Sequence, residues 1–252
     1  MFYSFKEESK ADFRNENVLL YNRDCMEVLE QLPSNSIDLV VTDCPYKVCS
    51  GGHITKNCKK VCGGILSHSN ELARQGKLFQ HNNIKFSEWL PEVYRVLKDN
   101  THCYIFINGR NLAELQREAE KVDFKYQQLL VWDKGNATPC HYYMNTVEYI
   151  LMLRKGGARD ISNMGTKNIL RIPNIMGNKK HPTEKPSSLM GILITNSSKK
   201  GDVVLDPFMG AGATGVSCIE TGRRFIGCEI DKKYFDVAVE RVKSLEDKGV
   251  IQ

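Results

Sequence analysis

One segment constrains the fold more than any other. The run DVVLD (202–206) reads as a buried strand, and it passes at once into Pro207-Phe208-Met209-Gly210-Ala211-Gly212-Ala213-Thr214-Gly215. Gly210, Gly212 and Gly215 fit G-x-G-x-x-G between a strand and a helix, a turn that brings backbone close to a nucleotide. A nucleotide-binding half of an open sheet needs three strands, yet only 37 of the 252 residues follow Gly215. They hold one more strand, RFIGCEI (224–230), and two helices. The third strand must come from elsewhere, and VLLYN (18–22) near the N-terminus is the obvious donor. The expected sheet is therefore circularly permuted: its first strand in sequence lies beside its last.

The rest of the chain fits that frame. Apolar runs at SIDLVVTD (36–43), HCYIFIN (102–108), QLLVW (128–132) and VEYILML (147–153) read as four more strands. Helical spacing appears at 24–32, 89–97, 111–122, 187–197, 213–220 and 234–245, with Pro186 near the start of the fourth. Alternating strands and helices predict an α/β fold with a mostly parallel, seven-stranded sheet covered on both faces. No repeat of 20–50 residues is present. The expected organisation is a single domain over 1–252.

The carboxyl edge of that sheet collects acids. Asp206 and Glu229 end two strands, 23 residues apart, and Asp24 follows the N-terminal one. A pyrophosphate suits three carboxylates badly, because they repel it. A ligand with amino and hydroxyl donors and a positive centre suits them well. S-adenosylmethionine has an adenine amino group, ribose hydroxyls, an ammonium and a sulfonium. A dinucleotide oxidoreductase is the weaker alternative, opposed by motif order.

The strand at 36–43 ends in Asp43-Cys44-Pro45-Tyr46. Ligands of open sheets bind at strand carboxyl ends, so this tetrapeptide points at the crevice. An exocyclic amino nitrogen on a base is a poor nucleophile, its lone pair being delocalised into the ring. Asp43 and a main-chain carbonyl can accept its two N–H bonds and favour a pyramidal nitrogen. Pro45 stiffens the turn, and Tyr46 can stack on the base.

These pieces occur in order: Asp43 to Tyr46, then His181-Pro182-Thr183-Glu184-Lys185-Pro186, then the glycine turn, then Arg224 to Glu229. Together they closely resemble the β-class DNA amino-methyltransferases, the adenine-N6 and cytosine-N4 enzymes of restriction–modification systems and phages. Val131-Trp132-Asp133-Lys134 and Glu148-Tyr149-Ile150-Leu151 look like that family too. The resemblance spans nearly the whole chain and implies a Rossmann-like fold that uses S-adenosylmethionine. It implies that Asp43, Cys44, Pro45 and Tyr46 form the catalytic motif. Asp43, Asp206, Phe208, Gly210, Gly212 and Thr214 are implied at the cofactor, with Glu229 at its ribose and Asp24 at its adenine. Thr183 and Lys185 match the motif near the cofactor's methionine end, although Lys185 could instead meet DNA phosphate. Cys44 stands where the family usually has proline. The acceptor there is a main-chain carbonyl, which cysteine preserves, and a cysteine nucleophile would have to follow the proline rather than precede it. The acidic first residue favours adenine, reached by base flipping. Cytosine-N4, RNA, and a nucleic-acid-binding protein with a degenerate fold remain the alternatives.

Charge distribution agrees with a polyanion partner. Of the net +5, residues 47–85 carry +6 and residues 154–185 carry another +6, so the rest of the chain is acidic. Both segments read as loops. The first is expected to be a substrate loop contacting DNA through Lys47, Lys56, Lys59 and Lys60. The second stands where the resemblance puts target recognition (154–180), with Lys179 and Lys180 as DNA contacts. His141 and Tyr142 are candidates for the base pocket or the DNA groove. Homodimers are common in the family, and a cognate restriction endonuclease is a further partner it allows. Cys49, His53, Cys58 and Cys62 lie in the first loop, but their spacings fit no common zinc knuckle, and no metal is expected. Cys103, Cys140, Cys218 and Cys228 are expected as small apolar packers. Nine scattered cysteines fit reduced intracellular thiols better than a disulfide framework. No apolar run is long enough to span a membrane and none reads as a secretory signal, so a cytoplasmic location is expected, in a bacterium or its phage.

Overall fold

The structure is a computed structural model that describes residues 10–45, 84–138, 143–175, 177 and 184–246. The strands are β1 (Phe13–Arg14), β2 (Val18–Tyr21), β3 (Ile37–Thr42), β4 (Leu97–Ile107), β5 (Lys125–Thr138), β6 (Asn145–Lys155), β7 (Ile169–Arg171), β8 (Val203–Asp206) and β9 (Arg224–Cys228). The helices are α1 (Cys25–Leu29), α2 (Phe86–Val96), α3 (Leu112–Lys121), α4 (Ser187–Ser197), α5 (Ala213–Glu220) and α6 (Lys232–Glu246). All strands join one sheet in the order β1-β2-β9-β8-β3-β4-β6-β5-β7. The seven expected strands are its central seven, and two short strands flank them.

The permuted pairing is present. β2 runs parallel to β9, with Val18 opposite Phe225 and Tyr21 opposite Cys228. β8 then runs parallel to both β9 and β3. β6 is antiparallel to β4 and β5. The antiparallel pair β6 and β5 makes a long ribbon that carries side chains back towards the carboxyl edge of β3.

Side-chain alternation sorts the core into two layers, as a sheet covered on both faces requires. Val40, Cys103, Ile105, Leu205 and Ile226 face one side and pack with Leu29, Trp89, Leu90, Val93 and Leu115 of α1, α2 and α3. Their neighbours Leu39, Val41, Tyr104, Phe106, Val204 and Phe225 face the other side, against Leu189, Leu193, Cys218, Ile219, Phe235 and Ala238 of α4, α5 and α6. Helix α2 joins its layer through Phe86, Trp89, Leu90, Val93 and Val96, all on one stripe. Pro186 is the N-cap of α4, where its missing N–H removes no intrahelical bond.

The second basic segment is not simply a loop. Arg154 and Lys155 close β6, and Ile169–Arg171 is the edge strand β7, parallel to β5. The Lys155 ammonium is buried, donating to Asn35 Oδ1 and to the Leu97 carbonyl, both at 2.7 Å. The stretch after it is tied to α4, where Ser162 and Asn163 donate backbone N–H groups to the carbonyl and side chain of Asn196. Lys155 pairs across from Thr101 near the start of β4, so these residues lie at the amino edge of the sheet. β7 itself returns to the carboxyl side, where Arg171 pairs with Asp133 of β5. The first basic segment, residues 47–83, lies outside the described residues, as do His141, Tyr142, Lys179 and Lys180.

Candidate active site

Helix α5 leads from β8 to β9 on one side, while β3 leads through α2 to β4 on the other. The carboxyl ends of β8 and β3 are therefore the switch point of the sheet, where a crevice opens. Asp43 and Asp206 lie on adjacent strands, not on opposite edges. Thr42 Oγ1 donates to Asp206 Oδ1 at 2.7 Å, joining the end of β3 directly to the glycine turn.

Asp206 is buried, and both its oxygens are engaged. Oδ1 also accepts the Phe208 N–H at 3.1 Å, and Oδ2 accepts the Thr214 hydroxyl at 2.7 Å. Burial pushes its carboxyl up to about 6, with those three hydrogen bonds opposing the rise. The residue therefore welds the end of β3, the turn and the start of α5 into one unit. Gly212 sits at φ 76°, and a Cβ there would meet the Ala238 Cβ at 2.9 Å. A Cβ on Gly215 would enter the Phe225 ring at 2.8 Å, so its bareness lets α5 lie close on β9.

Glu229 follows β9 and is held by the turn. Its Oε2 accepts the Gly210 N–H at 3.0 Å and its Oε1 the Asp231 N–H at 2.8 Å. Burial raises its carboxyl to about 7 despite those bonds. Each oxygen has a further lone pair for a hydroxyl donor. Asn22 Nδ2 donates to the Glu229 carbonyl at 2.9 Å, tying the end of β2 to the same corner. Asp24, two residues on, caps α1 by accepting the Met26 N–H at 2.8 Å. Phe208 stacks edge-on against Trp89, with centroids 5.3 Å apart. Asp206 is spent on the clamp, so Glu229, whose two oxygens each accept one backbone N–H, is the acid placed to meet a ligand's hydroxyl or amino donors. That acceptor fits the S-adenosylmethionine class expected from sequence.

Asp43 stands at the other lip. Lys185 Nζ lies 2.6 Å from its Oδ2, with the lysine side chain only 5% exposed. Burial raises the Asp43 carboxyl, and Lys185 opposes that rise. Lys185 is thus buried against Asp43 and does not reach outward to a DNA phosphate. Its neighbour Glu184 turns the other way, accepting from Arg241 at 2.7 Å, and Arg241 also donates to the Ala211 carbonyl. These two consecutive residues brace the Asp43 lip and the glycine turn from one short segment. Cys44 is buried, its thiol 3.9 Å from the Phe106 carbonyl, and burial followed by the nearby Asp43 charge pushes it well above the ordinary thiol range. Such a thiol is a poor nucleophile. Pro45 completes the described part of the motif; Tyr46 and Thr183 lie outside it.

Sequence reasoning missed two members of this lip. Glu148 on β6 lies 3.3 Å from Lys185 Nζ and 3.2 Å from Lys134 Nζ on β5. Burial alone would raise Glu148, but the two ammonium groups outweigh it and hold it below the ordinary carboxylate range. Among the described residues, no group of three or more His, Cys, Asp or Glu is placed to hold a metal ion. Cys49, His53, Cys58 and Cys62 lie outside them. Cys103, Cys218 and Cys228 are buried with free thiols, as apolar packers should be. Among the described residues, no helix is long and apolar enough to cross a membrane.

Known proteins resemble this chain in sequence and in fold. The N6/N4 methyltransferase family model, described as DNA methylase, matches residues 37–240. The Type II methyltransferase M2.MboI of Moraxella bovis is 27% identical, over 92% of this chain and 89% of its own. M.HinfI of Haemophilus influenzae is 28% identical, over 95% and 71% respectively. Among solved structures, the M1.HpyAVI–SAM complex superposes with a TM-score of 0.65 at 26% identity, covering 89% of this chain and 99% of that one. The cytosine-N4-specific PvuII DNA methyltransferase reaches a TM-score of 0.67 over 90% and 86% of the two chains. At 18% identity, it shows a shared fold.

Proposed function

The chain belongs to the N6/N4 DNA methylase family, and from that premise we propose that it methylates the N6 amino group of adenine in DNA. S-adenosylmethionine is the cofactor, and when bound it supplies an electrophilic methyl group on a sulfonium. The observation that carries the reading is the Thr42–Asp206 bond, which puts the Asp43 motif and the glycine turn on adjacent strands over one crevice. Family members acting on cytosine more often begin this motif with serine, so the acid at Asp43 favours adenine, as the resemblance implies.

The chain's own residues divide the work. Asp43 accepts one N–H of the extruded base and the Cys44 carbonyl accepts the other. The nitrogen's lone pair is thereby turned out of the ring plane and toward the methyl donor. Pro45 fixes the turn, and Tyr46 stacks on the base. Glu229 accepts the cofactor's ribose hydroxyls, and Asp24 meets its adenine. Phe208, Gly210, Gly212 and Thr214 shape the turn against the cofactor, with Thr183 near its methionine end. Asp206 sets the register between the two lips, and Lys185 steadies Asp43. The raised Cys44 thiol supports direct transfer with no covalent enzyme intermediate. Lys47, Lys56, Lys59, Lys60, Lys179 and Lys180 supply phosphate contacts, and His141 and Tyr142 the neighbourhood of the flipped base. A homodimer and a partner endonuclease, as in a restriction–modification pair, extend the same reading.

Methylation-sensitive sequencing of DNA from cells expressing the protein tests it. N6-methyladenine at a defined site is the expected result, and N4-methylcytosine would overturn the base assignment. Asp43→Ala is expected to abolish transfer while S-adenosylmethionine still binds. Appreciable turnover in that variant would sink the catalytic assignment.

A further inference from the structure

Four charged side chains form a row behind the catalytic lip, with alternating sign: Asp43, Lys185, Glu148 and Lys134. The contacts are 2.6, 3.3 and 3.2 Å in that order. They come from four places in the fold: the end of β3, the start of α4, β6 and β5. Lys134 and Glu148 are 13% and 25% exposed, and Lys185 and Asp43 are 5% and 19% exposed, so the row is largely screened from water.

We propose that Glu148, backed by Lys134, is a positioning residue for methyl transfer: it holds Lys185 on one oxygen of Asp43 and leaves the other oxygen aimed at the base. The inference rests on Asp43 being the amino-group acceptor. A lysine ammonium has three donors on a flexible stem, and a single carboxylate partner does not fix its direction. Here Lys185 touches Oδ2 of Asp43 on one side and Oε2 of Glu148 on another. The Phe106 ring lies 5.4 Å from its nitrogen. Lys185 is therefore caught between two carboxylates and an aromatic face. Glu148 in turn has one oxygen on Lys185 and the other on Lys134. Its place is set by sheet register, since it pairs with Trp132 across the β5–β6 ribbon. The ribbon thus reaches Asp43 through two salt bridges. A carboxylate whose rotation is fixed can present an acceptor in the geometry that transfer needs, and a displacement of about 1 Å at such a site costs on the order of 100-fold in rate.

The row also sets the charge balance around Asp43. The groups facing it are Lys185 from the start of α4, Glu148 from β6 and Cys44 beside it. Asp206 on β8 adds negative charge from the neighbouring strand. Burial, Lys185 and Glu148 act on Asp43 in that order, Lys185 lowering and Glu148 raising its carboxyl. Neutralising the two partners must therefore move Asp43 in opposite directions.

The test is the pH dependence of kcat/KM for the wild type and for Glu148→Gln, Lys185→Met and Lys134→Met, with S-adenosylmethionine binding measured in parallel. Transfer needs ionised Asp43, so the acid limb reports that group. Glu148→Gln should move the acid limb to lower pH, and Lys185→Met should move it to higher pH. Lys134→Met, one place further away, should follow Lys185→Met with a smaller shift. In all three, kcat should fall roughly 10- to 100-fold, while cofactor affinity stays near the wild-type value. If Lys185→Met fails to fold, the two more exposed positions carry the test. A Glu148→Gln enzyme with near wild-type kcat and an unmoved acid limb would overturn the inference. Activity surviving in Asp43→Ala would instead remove the reading beneath it, so the two failures are distinguishable.

Discussion

Replacing Asp206 with Asn should make the protein's stability less sensitive to pH, in a calculable way. Asp206 is buried, and its carboxyl rises from 3.8 to about 6 on folding. The native state therefore binds a proton more readily than the unfolded chain between those values. Stability contributed by this group is greatest at low pH and falls as pH rises through about 6. The full penalty for ionised Asp206 is about 3 kcal/mol, and about 2 kcal/mol of it develops between pH 4.5 and 7.5. Asn preserves the local bonds: its carbonyl can accept from Thr42 and Phe208, and its amide can donate to the Thr214 hydroxyl. Urea denaturation of the cofactor-free wild type and Asp206→Asn across that range gives two curves whose difference isolates this side chain. The variant should gain about 2 kcal/mol on the wild type from the acid end to the neutral end. A flat difference, or one that runs the other way, would refute the claim that Asp206 is held in a desolvated clamp.

Other outcomes follow from the same geometry. In its proposed role, Glu229, raised to about 7, holds the cofactor hydroxyls best when ionised. S-adenosylmethionine affinity should therefore weaken below pH 7, approaching about tenfold per unit, and calorimetry in buffers of different ionisation heat should detect proton release on binding. Gly212→Ala places a Cβ 2.9 Å from Ala238 at φ 76°; a loss of about 1–3 kcal/mol in thermal unfolding is expected, with weaker cofactor binding. Cys44→Ala should retain methyl transfer within about tenfold, as expected where the acceptor is main chain. Native Cys44 should also resist iodoacetamide at pH 8, as mass spectrometry of the labelled protein can check.

The framework was legible because buried parallel strands leave short, continuous runs of Val, Ile and Leu, and each such run became a strand. The permuted pairing followed from counting what remained after Gly215. β7 was not legible: Ile169-Leu170-Arg171 is three residues in a polar stretch, and it is a strand only because the Val131–Asp133 edge of β5 is available to it. The glycine turn and its acids were visible as a pattern. What a pattern does not carry is the direction of a side chain. Asp206 reads as one more ligand acid at the sheet edge, yet its oxygens are engaged by Thr42, Phe208 and Thr214, the first of them 164 positions away. The Lys185–Glu148 contact has no local spacing at all, since it depends on where β6 and the start of α4 meet in space. Resemblance flagged Glu148 as familiar without giving it a task.

The pairing of β2 with β9 has a consequence for how the protein is made. The strand that begins at Val18 has its partner beginning at Phe225, so ribosomes must add some two hundred residues between the two halves of that ladder. The segment carrying Asp43 leaves the exit tunnel long before Glu229 is polymerised. On the proposed reading, a nascent chain carries the residues that would hold the target amino group before the corner that would hold the donor exists. The ladder that joins β2 to β9 can close only after Cys228 has been added.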